Sequence, residues 1–204
     1  MKTDKNAKPE ALSTPWSPED LTAKARIRNA ALSLFARHGV EGTSMRAIAT
    51  AADVTVGLVA HHFGTKDGLR EAVDAFVVSL FVDTLKSTTM TGSARQIVAL
   101  RDAAVAEMLQ ANPTIVDYLR RSLLTGTGQP GDVLSRLVTL TAEQTRALRG
   151  SGLASTDRSV TEQTVTTIVR QFGRLFLQPL VNRIVDELGE PGESHPELTV
   201  GINS

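Results

Sequence analysis

An all-α fold is what this sequence predicts, and three observations carry that reading. Apolar residues recur at the 3.6-residue helical spacing in successive stretches from about residue 21 to residue 188. Each stretch is bounded by capping residues, with Ser, Thr, Asp or Asn at its start and often Gly at its end. No stretch alternates with period two for long enough to argue a strand, and no internal repeat is present. About eight or nine helices are expected, with a three-helix N-terminal unit joined by a fourth helix to a larger helical part.

The first helix is predicted to start at Ser17, with Pro18 in the first helical position and Asp20 completing a short-armed capping box. Trp16 is expected to pack against it. Ile27, Ala30, Ala31, Leu34 and Phe35 form its apolar face, Gly39 ends it, and His38 suits the negative end of its dipole. Thr43 or Ser44 caps a short second helix with Met45, Ile48, Ala49 and Ala52 on one face. Thr55 caps a third, with Val59 and Phe63 one turn apart. Thr65 opens a fourth, where Leu69, Val73, Phe76 and Leu80 align; its end is apolar almost all round, so burial on more than one side is expected.

Beyond it, 93–111 is predicted helical with Ile97, Leu100, Ala104 and Met108 on one face. Asn112 and Pro113 open a helix to about Leu124, and 125–131 reads as a loop. Asp132 caps a helix bearing Leu137, Leu140, Ala147 and Leu148, closed by Gly150. Two broad apolar faces follow, at 165–176 and 177–188, with Pro179 between them either separating two helices or kinking one. Residues 1–16 read as a flexible tail and 191–204 as a frayed one.

Composition narrows the function. The 204 residues contain no Cys, which excludes disulfides, thiolate metal sites and cysteine nucleophiles. No apolar run approaches the ~18–20 residues of a membrane span, and the N-terminus lacks a secretory apolar core. A soluble, cytoplasmic protein is expected, with no cofactor. No HExxH, ExxH or GxSxG pattern and no phosphate-cradling glycine loop occurs, so no catalytic residue is assigned.

The net charge of +0 conceals an asymmetry. Between Leu21 and Arg70, seven basic residues (Lys24, Arg26, Arg28, Arg37, Arg46, Lys66 and Arg70) stand against Glu41, Asp53 and Asp67, a local charge of +4 balanced by −4 elsewhere. That favours phosphate binding by the N-terminal part.

The informative stretch is TSMRAIATAADVTVGLVAHHFGTK, Thr43 to Lys66. Two short helices separated by a tight turn and braced by a preceding helix form a helix-turn-helix. A helix fits the ~12 Å major groove, and the turn holds it so that its N-terminal end reaches base edges. Ala49, Ala51 and Ala52 allow the two helices to approach, Val54, Val59 and Phe63 anchor them, and Thr55, Val56, Gly57 and Leu58 fall at the exposed start of the second. Exposed Val56 and Leu58 suit thymine methyl groups. A metal pair at His61 and His62 is disfavoured, since adjacent helical positions diverge by ~100°.

Over about residues 21–81, and most specifically in LFARHGVEGTSMRAIATAADVTVGLVAHHFGTKDGLREAV, the sequence resembles the TetR/AcrR family of bacterial transcriptional regulators. The resemblance implies that Thr43 and Ser44 open a helix abutting phosphate, that Arg46 contacts a base or phosphate, and that Thr55, Val56, Gly57 and Leu58 face the groove. His61 and His62 match the outer positions of the recognition helix, and Lys66 matches a phosphate-reaching lysine. Ala60 stands where the family usually has a tyrosine, a departure that removes one common phosphate contact.

The expected organisation is a tail at 1–16, a DNA-binding domain at 17–81 with its helix-turn-helix at 44–63, an effector-binding and dimerisation domain at 82–190, and a tail at 191–204. By resemblance the last two helices dimerise, and Val165, Ile168, Phe172, Phe176, Val181, Ile184 and Leu188 are the candidate contacts. The implied function is a repressor released from a pseudo-palindromic operator by a small apolar or amphipathic effector. The effector pocket is expected to be mainly aliphatic, and to use no metal, because only His195 lies beyond position 62. The alternatives are an activator or ligand-independent regulator, or an all-α interaction protein or enzyme that has lost DNA binding.

Overall fold

A computed structural model describes residues 22–89, 91–125, 131–190 and 192–202. The proposed Ser17 start, Trp16, the tail at 1–16 and most of the 125–131 loop lie outside the described residues. Among the described residues there are eight helices and no strand: α1 (Ala23–His38), α2 (Met45–Ala51), α3 (Val56–Phe63), α4 (Lys66–Ser87), α5 (Ala94–Ala111), α6 (Pro113–Thr125), α7 (Val133–Gly150) and α8 (Val160–Leu188). None of them is long and apolar enough to cross a membrane.

Most boundaries are set by side chains that take up orphan N–H groups at helix starts. Thr22, Ser44, Thr55, Thr65, Ser93, Asp132 and Ser159 each accept from the backbone three residues on. The cap of the described α1 is Thr22. Ser93 and Gln96 form a reciprocal capping box. Gly39 closes α1 with a φ of 76°, a conformation that a Cβ disfavours, and its N–H bonds Phe35 O at 2.9 Å.

One continuous core runs from Ile27, Leu32 and Phe35 of α1 through Ile48, Val59, Leu69, Val73 and Val77 to Leu119 of α6, Leu137 of α7 and Phe172 of α8. α4 joins the two parts, packing on α1 and α3 at one end and on α5 and α7 at the other. It buries Leu69, Val73, Val77 and Phe81, so the expectation of burial on more than one side describes its position. The face of α5 is rotated from the expected one: Ile97, Val105 and Leu109 are buried, whereas Leu100 is exposed.

α8 is one helix of 29 residues running through Pro179. A proline inside a helix lacks the N–H that would bond the carbonyl four residues back, here that of Leu175. Arg120 of α6 supplies the donor, its Nη2 lying 3.0 Å from Leu175 O. That long-range contact compensates for the missing bond, so no separate last helix is formed.

Residues 192–202 are not frayed but fold back along α8. Gln178 donates to Pro196 O at 2.8 Å and accepts from Leu198 N–H at 2.7 Å. His195 bonds Asp186 at 2.7 Å, and Arg174 pairs with Glu197. Val200 lies over Gly173, where a Cβ would stand only 2.9 Å from its side chain.

The candidate dimer contacts divide. Phe172 is only 8% exposed and stacks on Phe176 at 6.2 Å. Both rings, with Ile168, pack into the protomer's own core, because α7 lies against that face of α8. Phe172 is corrected from a dimer contact to a core residue, whereas Ile168 and Phe176 are half-buried beside it. Val181 is half-buried. Val165, Ile184 (48% exposed) and Leu188 (80% exposed) remain on the surface, joined by Leu177 and Leu180. Leu177, Leu180, Ile184 and Leu188, spaced i, i+3, i+7 and i+11, form one stripe.

Candidate nucleic-acid interface

The turn between α2 and α3 is built without glycine. Asp53 occupies the left-handed region with φ 53°, a conformation in which Asp and Asn are enriched among non-glycine residues. Val54 N–H bonds Ala49 O at 3.0 Å and Asp53 N–H bonds Thr50 O at 3.3 Å. This pair of bonds is a Schellman motif, which ends α2 sharply and sends the chain straight into α3. Val59 is fully buried, and Val54 and Phe63 pack against the core, so α3 is held by one face. Ala49 and Ala52 are buried between the helices, whereas Ala51 is exposed.

The opposite face of α3 is open. Thr55 and Gly57 are exposed and Val56 is 43% exposed. Thr55 Oγ1 accepts from Leu58 N–H at 3.2 Å, which fixes the start of the helix. A Cβ at Gly57 would meet only Thr55 Oγ1, at 3.9 Å. The fold itself therefore leaves room for a side chain there, and the glycine bares the backbone to whatever approaches. Leu58 differs from expectation: it is half-buried against the core, leaving Val56 as the exposed apolar group at the helix start.

Around this helix end the other candidates separate into exposed and structural ones. Ser44 and Arg46 are exposed at the start of α2, and Ser44 Oγ accepts from Ala47 N–H at 3.1 Å. His61 is exposed and His62 half-buried, their rings edge-on at 5.4 Å. Lys66 Nζ lies 3.3 Å from Glu41. Thr43 is corrected: it is buried, and its hydroxyl donates to Gly39 O at 2.7 Å, tying the end of α1 to the start of α2. Its Oγ1 is thus committed to the fold rather than presented at the surface. Lys24 was counted in the charge balance but not assigned a site; its Nζ lies 5.9 Å over the Phe63 ring, beside the end of α3. Its position on α1 depends on tertiary packing that helical spacing does not report.

This unit is wired to the rest of the molecule through polar contacts. Arg121 of α6 donates to Ala36 O at 3.0 Å and to Arg37 O at 2.8 Å, binding orphan carbonyls at the end of α1. Tyr118 donates to the buried Asp74 at 2.5 Å, and Arg70 bonds the other Asp74 oxygen at 3.0 Å. Burial raises the Asp74 pKa against the opposing Tyr118 hydrogen bond and Arg70 charge. Burial, then the neighbouring Asp74, push the Tyr118 phenol up. A cavity of about 540 Å³ opens beside these groups, lined also by Glu41, Asp67 and Asp132. Much of its charge is already paired across the joint between α1, α4 and α6.

A second cavity, of about 90 Å³, lies among α4, α5, α7 and α8. Its wall is largely apolar, and Arg101, Asp102 and Arg170 are the charged groups in it.

Residues 27–73 match the family model described as bacterial regulatory proteins, tetR family. Over 107 residues the chain is 43% identical to the HTH-type transcriptional regulatory protein RaaS of Mycobacterium tuberculosis (strain ATCC 25618 / H37Rv), a match covering 52% of this chain and 48% of that protein. It is 39% identical over 49 residues to the HTH-type transcriptional regulator BetI of Paraburkholderia phymatum (strain DSM 17167 / CIP 108236 / LMG 21445 / STM815), covering 24% of this chain and 25% of that one. The similarity thus spans about half or less of these relatives. Among solved structures, a tetR-family transcription regulator from Shewanella sp. PV-4 aligns with TM-score 0.62 at 23% identity, over 82% of this chain and 87% of that one. Salmonella enterica GusR aligns with TM-score 0.62 at 20% identity, over 78% and 84%. At these identities the structural likeness speaks for the fold alone.

Proposed function

We propose that the chain is a tetR-family regulator, a reading supported by the family-model match at residues 27–73 and the 43% identity over 107 residues, and that it is a cytoplasmic, homodimeric repressor. It binds a pseudo-palindromic operator and leaves it when a small molecule occupies the helical domain. The observation that carries DNA binding is the anchored but open recognition helix: Val59 is buried on one side while Thr55, Val56 and Gly57 are bare on the other. Ser44, Arg46 and Lys66 provide phosphate and base-edge partners beside it, His61 and His62 flank its outer end, and Lys24 adds a further cation. Val56 meets a thymine methyl, and the bare Gly57 backbone permits close approach to the groove.

Two such helices require a dimer, since a two-fold axis matches successive half-sites one helical turn apart. The exposed stripe Leu177, Leu180, Ile184 and Leu188 supports α8 as the dimer surface. Release follows if the effector prefers the state in which the two reading heads no longer match the operator spacing. α4 and the Arg121 and Tyr118 contacts provide a physical route between the two parts.

The test is binding to DNA from upstream of the protein's own gene, measured against salt and against random DNA. A salt-dependent preference for the upstream fragment supports the reading. Binding to neither DNA removes it. A transcription reporter carrying the fragment separates repressor from activator by the sign of the response.

A further inference from the structure

Pro179 leaves a mechanical weak point in α8. It cannot supply the N–H that would bond Leu175 O, and prolines are where helices kink. Arg120 of α6 takes that carbonyl at 3.0 Å, which fixes one point only. The buried residues of α8, Thr164 and Phe172, both lie before the proline. The half beyond it carries Leu180, Ile184 and Leu188, all exposed, so the protomer's core does not hold that half in line.

The segment 192–202 spans this weak point from outside. Beyond Pro179, His195 bonds Asp186 at 2.7 Å. At the break, Gln178 donates to Pro196 O at 2.8 Å and accepts from Leu198 N–H at 2.7 Å, so it holds the backbone of the segment. Before the break, Arg174 pairs with Glu197 and Val200 sits over Gly173. A Cβ at Gly173 would stand 2.9 Å from Cβ, Cγ1 and Cγ2 of Val200, closer than side chains pack. Glycine inside a helix weakens it relative to alanine, so position 173 gives up helix strength for a notch that admits the segment. Leu177, Leu180, Ile184 and Leu188 stay exposed with the segment in place, so it does not cover their stripe.

We propose that 192–202 is a splint: it locks α8 across a hinge at Pro179 and so fixes the direction in which Leu180, Ile184 and Leu188 are presented to a second copy of this chain. The inference rests on the proposed dimerisation through α8 and adds what orients that surface. A hinge needs few residues to absorb a large change of direction. Unlocked, it would turn the two protomers relative to each other and move their recognition helices out of step with successive major grooves. Arg120 lies between Tyr118 and Arg121 on α6, which hold α4 and α1, so the hinge and the reading head are fastened to the same helix.

The test uses the full-length protein with Gly173→Ala or Gln178→Ala, each of which loosens the segment and spares the exposed stripe. Dimer dissociation is measured by sedimentation. Amide exchange along α8 is measured by mass spectrometry in chains that also carry Ile184→Glu, so that loss of a partner does not itself uncover the helix. Each variant should weaken the dimer by about tenfold, the equivalent of one or two lost hydrogen bonds. Each should also raise exchange in 180–188 and leave 160–172 unchanged. Alanine by itself strengthens a helix, so without a splint Gly173→Ala would lower exchange. In a chain already carrying Val200→Gly, Gly173→Ala should add little, because its effect passes through that side chain. The two readings fail separately. Unchanged or lower exchange beyond Pro179 removes the splint whatever the dimer does, whereas raised exchange with an unchanged dimer keeps the splint and moves the two-fold interface off α8. A tighter dimer would show the segment competing with the partner and would overturn the proposal.

Discussion

The N-terminal unit, α1 to the start of α4, and the helical part beyond it solve different packing problems. The first buries Ile27, Phe35, Ile48, Val59 and Leu69 completely, and leaves mostly polar and small groups on the face proposed to meet DNA. The second buries Asp74, Arg101 and Arg170 wholly or in part and leaves Leu177, Leu180, Ile184 and Leu188 outside. The difference teaches what each surface is for. B-DNA has a fixed geometry, so a reading head gains from rigidity. On the proposed reading, a part that takes a partner copy leaves apolar surface uncovered in the isolated chain.

The largest expected effect tests the rigid side. Phe35→Ala removes a fully buried ring shared by the α1–α4 core and should cost about 3–5 kcal/mol in chemical denaturation. Leu100→Ala, on the exposed face of α5, should stay within about 0.5 kcal/mol. Similar losses at both positions would erase the contrast between packed and unfinished surfaces.

The contrast also explains what was legible in the sequence. Local chemistry specified the reading head: Ser44, Thr55 and Thr65 are the caps that the sequence predicts, and Val59 is the anchor. Of the candidate DNA contacts, Thr43 and Leu58 fail as exposed groups because the packing of α1 against α2 and α3 takes them inward. Beyond α4 the decisive contacts are non-local. The continuity of α8 depends on Arg120, 55 residues before the carbonyl it bonds. The docking of 192–202 depends on Gln178 and Gly173. Helical periodicity in α8 marks apolar faces but does not say which one α7 will occupy, so Phe172 and Ile184 look alike in sequence and differ in the fold.

That pair supplies the next prediction. Ile184→Glu should yield a folded monomer with weakened operator binding, because it charges the exposed stripe. Phe172→Glu should instead unfold the protomer, since it places a charge in the core. Light scattering and circular dichroism distinguish the two outcomes. A dimer that survives Ile184→Glu would move the two-fold interface away from this stripe.

A smaller effect is expected at the joint. Burial raises the folded-state pKa of Asp74, with Tyr118, Arg70 and Arg136 opposing the shift and Asp132 adding to it. Between the ordinary carboxylate value and the raised one, the folded state holds the proton more tightly than the unfolded state. This group's stabilising contribution is therefore full below the ordinary value and is lost as pH rises through the folded one. Asp74→Asn keeps an acceptor for Tyr118 and removes the titration. The stability difference between wild type and variant, followed by denaturation from acid to neutral pH, should move steadily against the wild type. A flat difference would place the Asp74 carboxyl at its ordinary value.

The smallest effect belongs to the open side of the reading head. Lys66 and Glu41 lie 3.3 Å apart, but the Glu41 side chain is 96% exposed, so water and salt screen the pair and little stability resides in it. Lys66→Ala should change folding stability by less than about 1 kcal/mol. Its effect on DNA is separable: loss of one phosphate contact should lower affinity for operator and random sequence alike and reduce the salt slope by about one. Arg46→Ala gives the comparison, since a base contact would cost more on operator than on random DNA. Glu41→Gln should act opposite to Lys66→Ala, strengthening binding to both DNAs by removing the carboxylate that competes with phosphate for the lysine. Were Lys66→Ala to weaken operator binding alone, the lysine would be reading sequence, and the division between a reading helix and a positioning lysine would have to be redrawn.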